Sequence, residues 1–357
     1  MPFTDLDGWL SERTRSAGFS GVVLVCRDAE TLFSGAYGPA SRRWPVPVTL
    51  ATRFDTASVT KLFTSVAVLQ LVDEGRLDLD TPITELVDLT GTTISDRVTL
   101  RHLLTHTSGI ADDADEEAGE DYADLWVDRP CYAVTQTRDF LPLFAHKAPV
   151  FAPGTGCRYN NVGFALAGLA IEAVTGVGYR DRVGSAVFAA AGMGSSGFFD
   201  RRDAEPDVAE GWDLVDGSWR QNIFSYPPIG APADGAHVTA ADLVAFGQAL
   251  RAGRLLSPER TELFLTPQVL HHERDDYQVR YGFGLEFVIG PGGLLRNYYK
   301  EGINAGASAI LRHYPAERID VAVLSNSQDG AWEPIREVHR RLRAVNPALG
   351  ASGIGSS

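Results

Sequence analysis

Both ends of this chain carry strand patterns, while the stretch between them repeats its apolar residues at helical spacing. Residues 20 to 37, SGVVLVCRDAETLFSGAY, read as two β-rich runs joined by a polar turn, so the chain is predicted to open with an antiparallel hairpin. Strand patterns return in YGFGLEFVI, LLRNYYKEG, ASAILRHYP and RIDVAVLSN, and WEPIREVHRRLRAV follows as an amphipathic helix with a basic last turn. Strands at both termini imply one shared sheet. What lies between must then leave that sheet and return to it. SVTKLFTSVAVLQLVDE, LRHLLTH, GFALAGLAIEAVTG and TAADLVAFGQALRAG each repeat apolar residues at three and four, and Gly75 stops the first of them. The predicted fold is α/β of the α+β kind: an antiparallel sheet (about 1–57 and 275–345) flanked by helices, with a mainly helical region (about 58–274) inserted. Residues 346–357 read as a flexible tail. Residues 111 to 128 hold nine acids and little periodicity, which suits a loop or a lid.

With 46 acidic against 32 basic residues, the net charge of -14 opposes a polyanionic partner, so neither nucleic acid nor an anionic membrane surface is expected. No run of about 18 apolar residues occurs, and the first residues lack a basic segment followed by an apolar one, so neither a transmembrane helix nor an export signal is predicted. Cys26, Cys131 and Cys157 are odd in number and lack C-x-x-C spacing, which argues against a disulfide framework or structural zinc and fits a reducing cytoplasm. Of the 32 basic residues, only Lys61, Lys147 and Lys300 are lysines. Where Arg supplies surface charge, a Lys suits what Arg cannot do: lose its proton or act as a compact point charge.

Ser58 and Lys61 lie three apart at the start of the first strong helix, on one face, with the serine near the positive end of the helix dipole. That spacing suits a nucleophile and a base, provided burial or neighbouring charge holds the lysine neutral. A capping Ser and a surface Lys leave the same pattern. Tyr159-Asn160-Asn161 is the only Tyr-x-Asn and precedes a helix, so its loop can project Tyr159, as phenol or phenolate, for proton relay, and Asn161 toward Lys61 and a substrate amide. A Tyr packed in the core is the plainer reading. Lys300-Glu301-Gly302 falls in a strand pattern, where Gly302 lets substrate approach the backbone and the N–H groups of Ile303 and Ser58 can form an oxyanion hole.

The order Ser-x-x-Lys, Tyr-x-Asn, Lys-x-Gly resembles the serine β-lactamase and penicillin-binding protein superfamily. The likeness is nearest to its branch of class C β-lactamases, D,D-peptidases and esterases, and runs through FDTASVTKLFTSVAVLQLVDEGRLDLDTPI, LRHLLTHTSGI, PGTGCRYNNVGFALAGLAIEAVTG, ADGAHVTAADLVAFGQAL and VAVLSN. The resemblance implies Ser58 as the acylated residue, Lys61 and Tyr159 as general base and acid, Asn161 as a substrate and Lys61 contact, and Lys300 as the third-motif cation. It makes His102 and His106 structural and implies no metal or organic cofactor. The function expected is hydrolysis of an ester or amide of a small molecule or short peptide through an acyl-Ser58 intermediate. An acyltransferase or peptide cyclase using the same intermediate is the alternative, with a ligand-sensing module third. The departure is Glu301, where the family carries a hydroxyl residue. An anion there offsets Lys300 and opposes a substrate carboxylate, unless strand alternation turns it away.

Overall fold

Gly21–Arg27 (β1) and Glu30–Tyr37 (β2) pair as the expected hairpin. Asp28 in its two-residue turn takes φ 51°, a left-handed conformation that Asp tolerates. The computed structural model describes residues 2–350. The chain does not open with these strands: Leu6–Ala17 (α1) precedes them, burying only Leu6 and Leu10, too few apolar positions to stand out as a period in sequence.

β1 continues into strands from the other end of the chain: Val269–Arg274 (β3), Tyr277–Tyr281 (β4), Glu286–Ile289 (β5), Leu295–Asn304 (β6), Ala307–Tyr314 (β7) and Ile319–Ser325 (β8). They form one eight-stranded antiparallel sheet in the order β2-β1-β8-β7-β6-β5-β4-β3. The sheet therefore begins at residue 269 rather than 275. VLHHER at its edge is polar and largely exposed, so it lacks the apolar alternation that marks the inner strands.

β7 and β8 are buried at every position because both faces of the sheet are covered. Leu6 and Leu10 of α1, with Trp332, Ile335, Val338 and Leu342 of the C-terminal helix Trp332–Val345, pack on Val23, Val25, Ile310, Val321 and Val323. The other face, with Val22, Leu24, Leu311, Ala322 and Leu324, packs on the helical region. There Thr60–Asp73 (α2), Val162–Thr175 (α3) and Ala240–Arg251 (α4) carry most of the core, and that C-terminal helix is α5. α2 is buried around its whole circumference at its N-terminal end, and this carries Lys61 into the interior. The tail reading holds less of the chain than expected: Pro347–Leu349 form a turn with Leu349 buried, and the Gly350 carbonyl lies 3.1 Å from His339 Nε2. Residues 351–357 lie outside the described part.

Candidate active site

Ser58 lies in a tight turn, Ala57–Val59, that feeds directly into α2. The turn is held in a costly conformation: Ala57 takes φ 44°, and its N–H donates to Asp55 Oδ1 at 2.7 Å. Thr56 donates through both N–H (2.9 Å) and Oγ1 (2.8 Å) to the Ala236 carbonyl, and the Ala236 N–H donates to Thr60 Oγ1 at 3.0 Å. Behind the turn stands Gly302. A Cβ there would collide with the Thr56 carbonyl and lie 2.7 Å from the Ser58 nitrogen. What approaches Gly302 most closely is thus the serine's own turn, and Gly302 also lines the cavity that reaches Ser58.

Lys61 is fully buried and its Nζ has three partners: Ser58 Oγ at 2.9 Å, Asn161 Oδ1 at 2.7 Å and the Ala233 carbonyl at 2.9 Å. Two of these only accept. A neutral amine that donates to both must turn its lone pair toward the third, the serine hydroxyl. Burial, with the Lys300 cation adding to it, brings the Lys61 pKa down to about 8, while Glu116, Asp234 and Asp112 pull it back up.

Tyr159 donates its hydroxyl to Ser58 Oγ at 2.7 Å. Burial first and Glu116 second push its pKa well above the ordinary phenol value, so it stands as a phenol rather than a phenolate. Lys61 Nζ and Lys300 Nζ lie 5.0 and 4.8 Å from its ring centre. His106, at φ 60°, packs its ring 4.8 Å from that of Tyr159 and accepts the Asn160 N–H at Nδ1 (3.1 Å). Burial holds its pKa far below the usual histidine value, so it is neutral and serves to seat the Tyr159 loop. His102 instead closes a capping box with Thr99. Among the described residues no group of three metal-ligating side chains converges.

Asn161 leads into α3. Its N–H and that of Val162 donate to the buried Asp112 carboxylate at 2.8 and 3.0 Å, and its Nδ2 donates to Glu116 Oε1 at 3.0 Å. The acidic segment is therefore no free loop. Asp112 caps a helix, Asp113 and Glu116 line a small cavity beside Ser58 with Asp234 and Asn304, and Glu116 and Glu117 line a larger one. Asp112, Glu116, Ala233 and Asp234 were invisible as site residues because no spacing links them to Ser58. The nearest signal was the acid density of 111–128 and the family-like ADGAH.

Lys300 and Gly302 face the helical region, as alternation along β6 requires. Lys300 is buried and paired with Glu286 Oε1 at 3.0 Å, so Glu286 of β5, rather than Glu301, offsets it directly. Glu301 and Ile303 stand on the opposite face with Tyr299, yet all three line the larger cavity, about 280 Å³, which also reaches Ser58, Tyr159, Lys300 and Trp332. The cavity passes round the strand edge because the β5 pairing ends at Glu286 opposite Tyr299. Asn304 and Ala307 close the β6–β7 hairpin, so the ladder's alternation turns the Ile303 N–H outward along this unpaired edge.

A solved penicillin-binding protein from Bacillus halodurans superposes with a TM-score of 0.86 at 37% identity, covering 94% of this chain and 99% of its own. Penicillin-binding protein 4* of Bacillus subtilis is 27% identical over 374 residues, covering 95% of this chain and 79% of itself. Esterase EstB of Burkholderia gladioli is 34% identical over 212 residues, 57% of this chain and 52% of the esterase. The family model described as Beta-lactamase matches residues 6–346. A match over nearly the whole length, on a shared sheet-and-helix fold, means that this chain belongs to the beta-lactamase family and is a serine hydrolase of it.

Proposed function

We propose that the protein cleaves an ester or amide bond of a small molecule or short peptide through an acyl-Ser58 intermediate. The observation that carries this is Ser58 Oγ held between Lys61 Nζ at 2.9 Å and Tyr159 OH at 2.7 Å, with the lysine tuned to lose its proton near pH 8. Ser58 Oγ attacks the acyl carbon while its proton passes to neutral Lys61. The oxygen of the tetrahedral adduct takes the N–H groups of Ser58 and Ile303. Collapse breaks the bond to the leaving group, which takes the Tyr159 proton, and the Lys61 ammonium restores it. The net transfer is of one proton from serine to leaving group, and water then repeats the sequence on the acyl-enzyme. The esterase relative is consistent with this class of substrate.

The test is mass spectrometry after exposure to an active-site phosphonate, with a fluorogenic short-chain ester followed in parallel. A single adduct on Ser58 is expected, with label and turnover both lost in Ser58→Ala while the melting temperature stays within a few degrees. An adduct on any other serine, or turnover retained in the variant, overturns the assignment.

A further inference from the structure

Tyr299, Glu301 and Ile303 are successive side chains on one face of β6, and together they build one wall of the larger cavity, which runs from Ser58 to Trp332 of α5. The other carboxylates around this cavity are committed. Glu286 holds Lys300, Glu116 holds the Asn161 amide, and Glu117 accepts the Tyr159 N–H (2.8 Å) and lies 3.4 Å from His271. Glu301 is not: its Oε2 is buried and has no hydrogen-bond partner among the described residues. A buried acceptor left without a donor is destabilising, and a ligand N–H would satisfy it. Arg312, on the same face opposite Tyr299, stands with its guanidinium carbon 4.7 Å from the Tyr299 ring centre and acts on Glu301 only through space.

We propose that this arm of the cavity is a cation subsite, in which Glu301, walled by Tyr299 and Trp332, takes an alkylammonium group that the substrate carries several bonds from its scissile carbonyl. The inference rests on the acyl-Ser58 reading, since the subsite shares its cavity with that serine. Carboxylate and aromatic faces together suit an ammonium, the one by charge-assisted hydrogen bonding and the other by its ring quadrupole. Burial, with Glu286 adding to it, raises the Glu301 pKa to about 7, against the pull of Lys300 and Arg312. A bound cation favours the ionised form, so recognition should strengthen as pH rises through that value.

The experiment uses aryl and alkyl esters in which an ammonium lies three to five carbons from the acyl carbon, on the acyl chain in one set and on the alcohol in the other. Each is matched to a methyl-terminated isostere. The wild-type kcat/KM ratio of ammonium ester to isostere is expected to exceed tenfold in one set. It should fall at least tenfold in Glu301→Gln and less in Glu301→Asp. In wild type alone that ratio should drop as pH falls from 8 to 6, a readout independent of how well the variants fold. Lys61 ionisation affects both esters alike and cancels. His271, Glu117, Glu286, Lys300 and Arg312 also face this region, so the pH step must vanish in Glu301→Gln to belong to Glu301. Neutral esters turned over with a ratio near unity, or unchanged by Glu301→Gln, overturn the subsite and leave the hydrolase standing. No Ser58-dependent turnover of any ester overturns both.

Discussion

Lys61 shows how one buried residue is given a chemical role by its surroundings. Desolvation alone disfavours the ammonium, Lys300 adds to that, and three carboxylates limit the fall, so the amine titrates at about 8 rather than far below it. The sign follows: the neutral base appears as pH rises, and activity on a neutral ester should climb through an apparent value near 8 that belongs to the coupled site. Lys300→Met removes a cation that lowers Lys61, so the midpoint of the kcat/KM profile is expected to move to higher pH. A profile unmoved in that variant, or moved to lower pH, would mean that Lys300 does not tune the base. Lys61→Arg, permanently charged, should lose about 10²- to 10⁴-fold in kcat, the usual worth of a general base.

At the scale of elements, the site depends on how α3 begins. The first N–H groups of a helix need acceptors, and here Asp112 supplies them to Asn161 and Val162 from a distant segment, while Asn160 Oδ1 takes the Gly163 N–H at 2.8 Å. The same cap aims Asn161 at Lys61. Asp112→Ala should therefore cost about 1–2 kcal/mol of stability, as loss of a cap does, and lower kcat/KM as well. Denaturant titration and ester kinetics on one preparation check both, and a variant destabilised with full activity would show that the cap does not aim Asn161. This coupling was not legible in the sequence. Ser58, Lys61, Tyr159, Asn161 and Lys300 were, because short spacings on helix, loop and strand carry them and the family likeness orders them. β7 and β8 were legible because inner strands covered on both faces run largely apolar, whereas β3 is a polar edge and α1 buries two leucines. Glu301 was legible as a departure. Its place on the far face of β6 follows from strand alternation, but its reach into the cavity follows from where β5 stops, and no residue of β6 encodes that.

At the scale of the whole molecule, the site exists only when the layers close. Ser58 and Tyr159 are 101 residues apart, Lys61 and Ala233 are 172 apart, and Gly302 of the sheet backs the serine's turn. Closing those layers also gathers charge. A chain of net charge -14 brings Asp113, Glu116, Glu117, Asp234, Glu286 and Glu301 to two cavities that meet at Ser58, with Lys61 and Lys300 as the buried cations among them. Burial raises the pKa of Asp113 to about 6 and those of Asp234 and Glu301 to about 7, so above that pH anions outnumber the two lysines. A cleft with such an excess raises the local concentration of opposite ions and loses that effect as salt screens it. The Debye length shrinks from about 10 Å at 0.1 M to about 3 Å at 1 M ionic strength, so charge beyond the contacts themselves is largely hidden at the upper end. Three esters alike in size but cationic, neutral and anionic should therefore separate on a salt titration at about pH 8, where Asp234 and Glu301 are ionised. Between roughly 0.02 and 1 M sodium chloride, kcat/KM should fall several-fold for the cationic ester, stay level for the neutral one and rise for the anionic one. The two charged esters sharing one slope would mean that substrate reaches Ser58 along a path that the acidic cavities do not govern, whatever Glu301 does at contact.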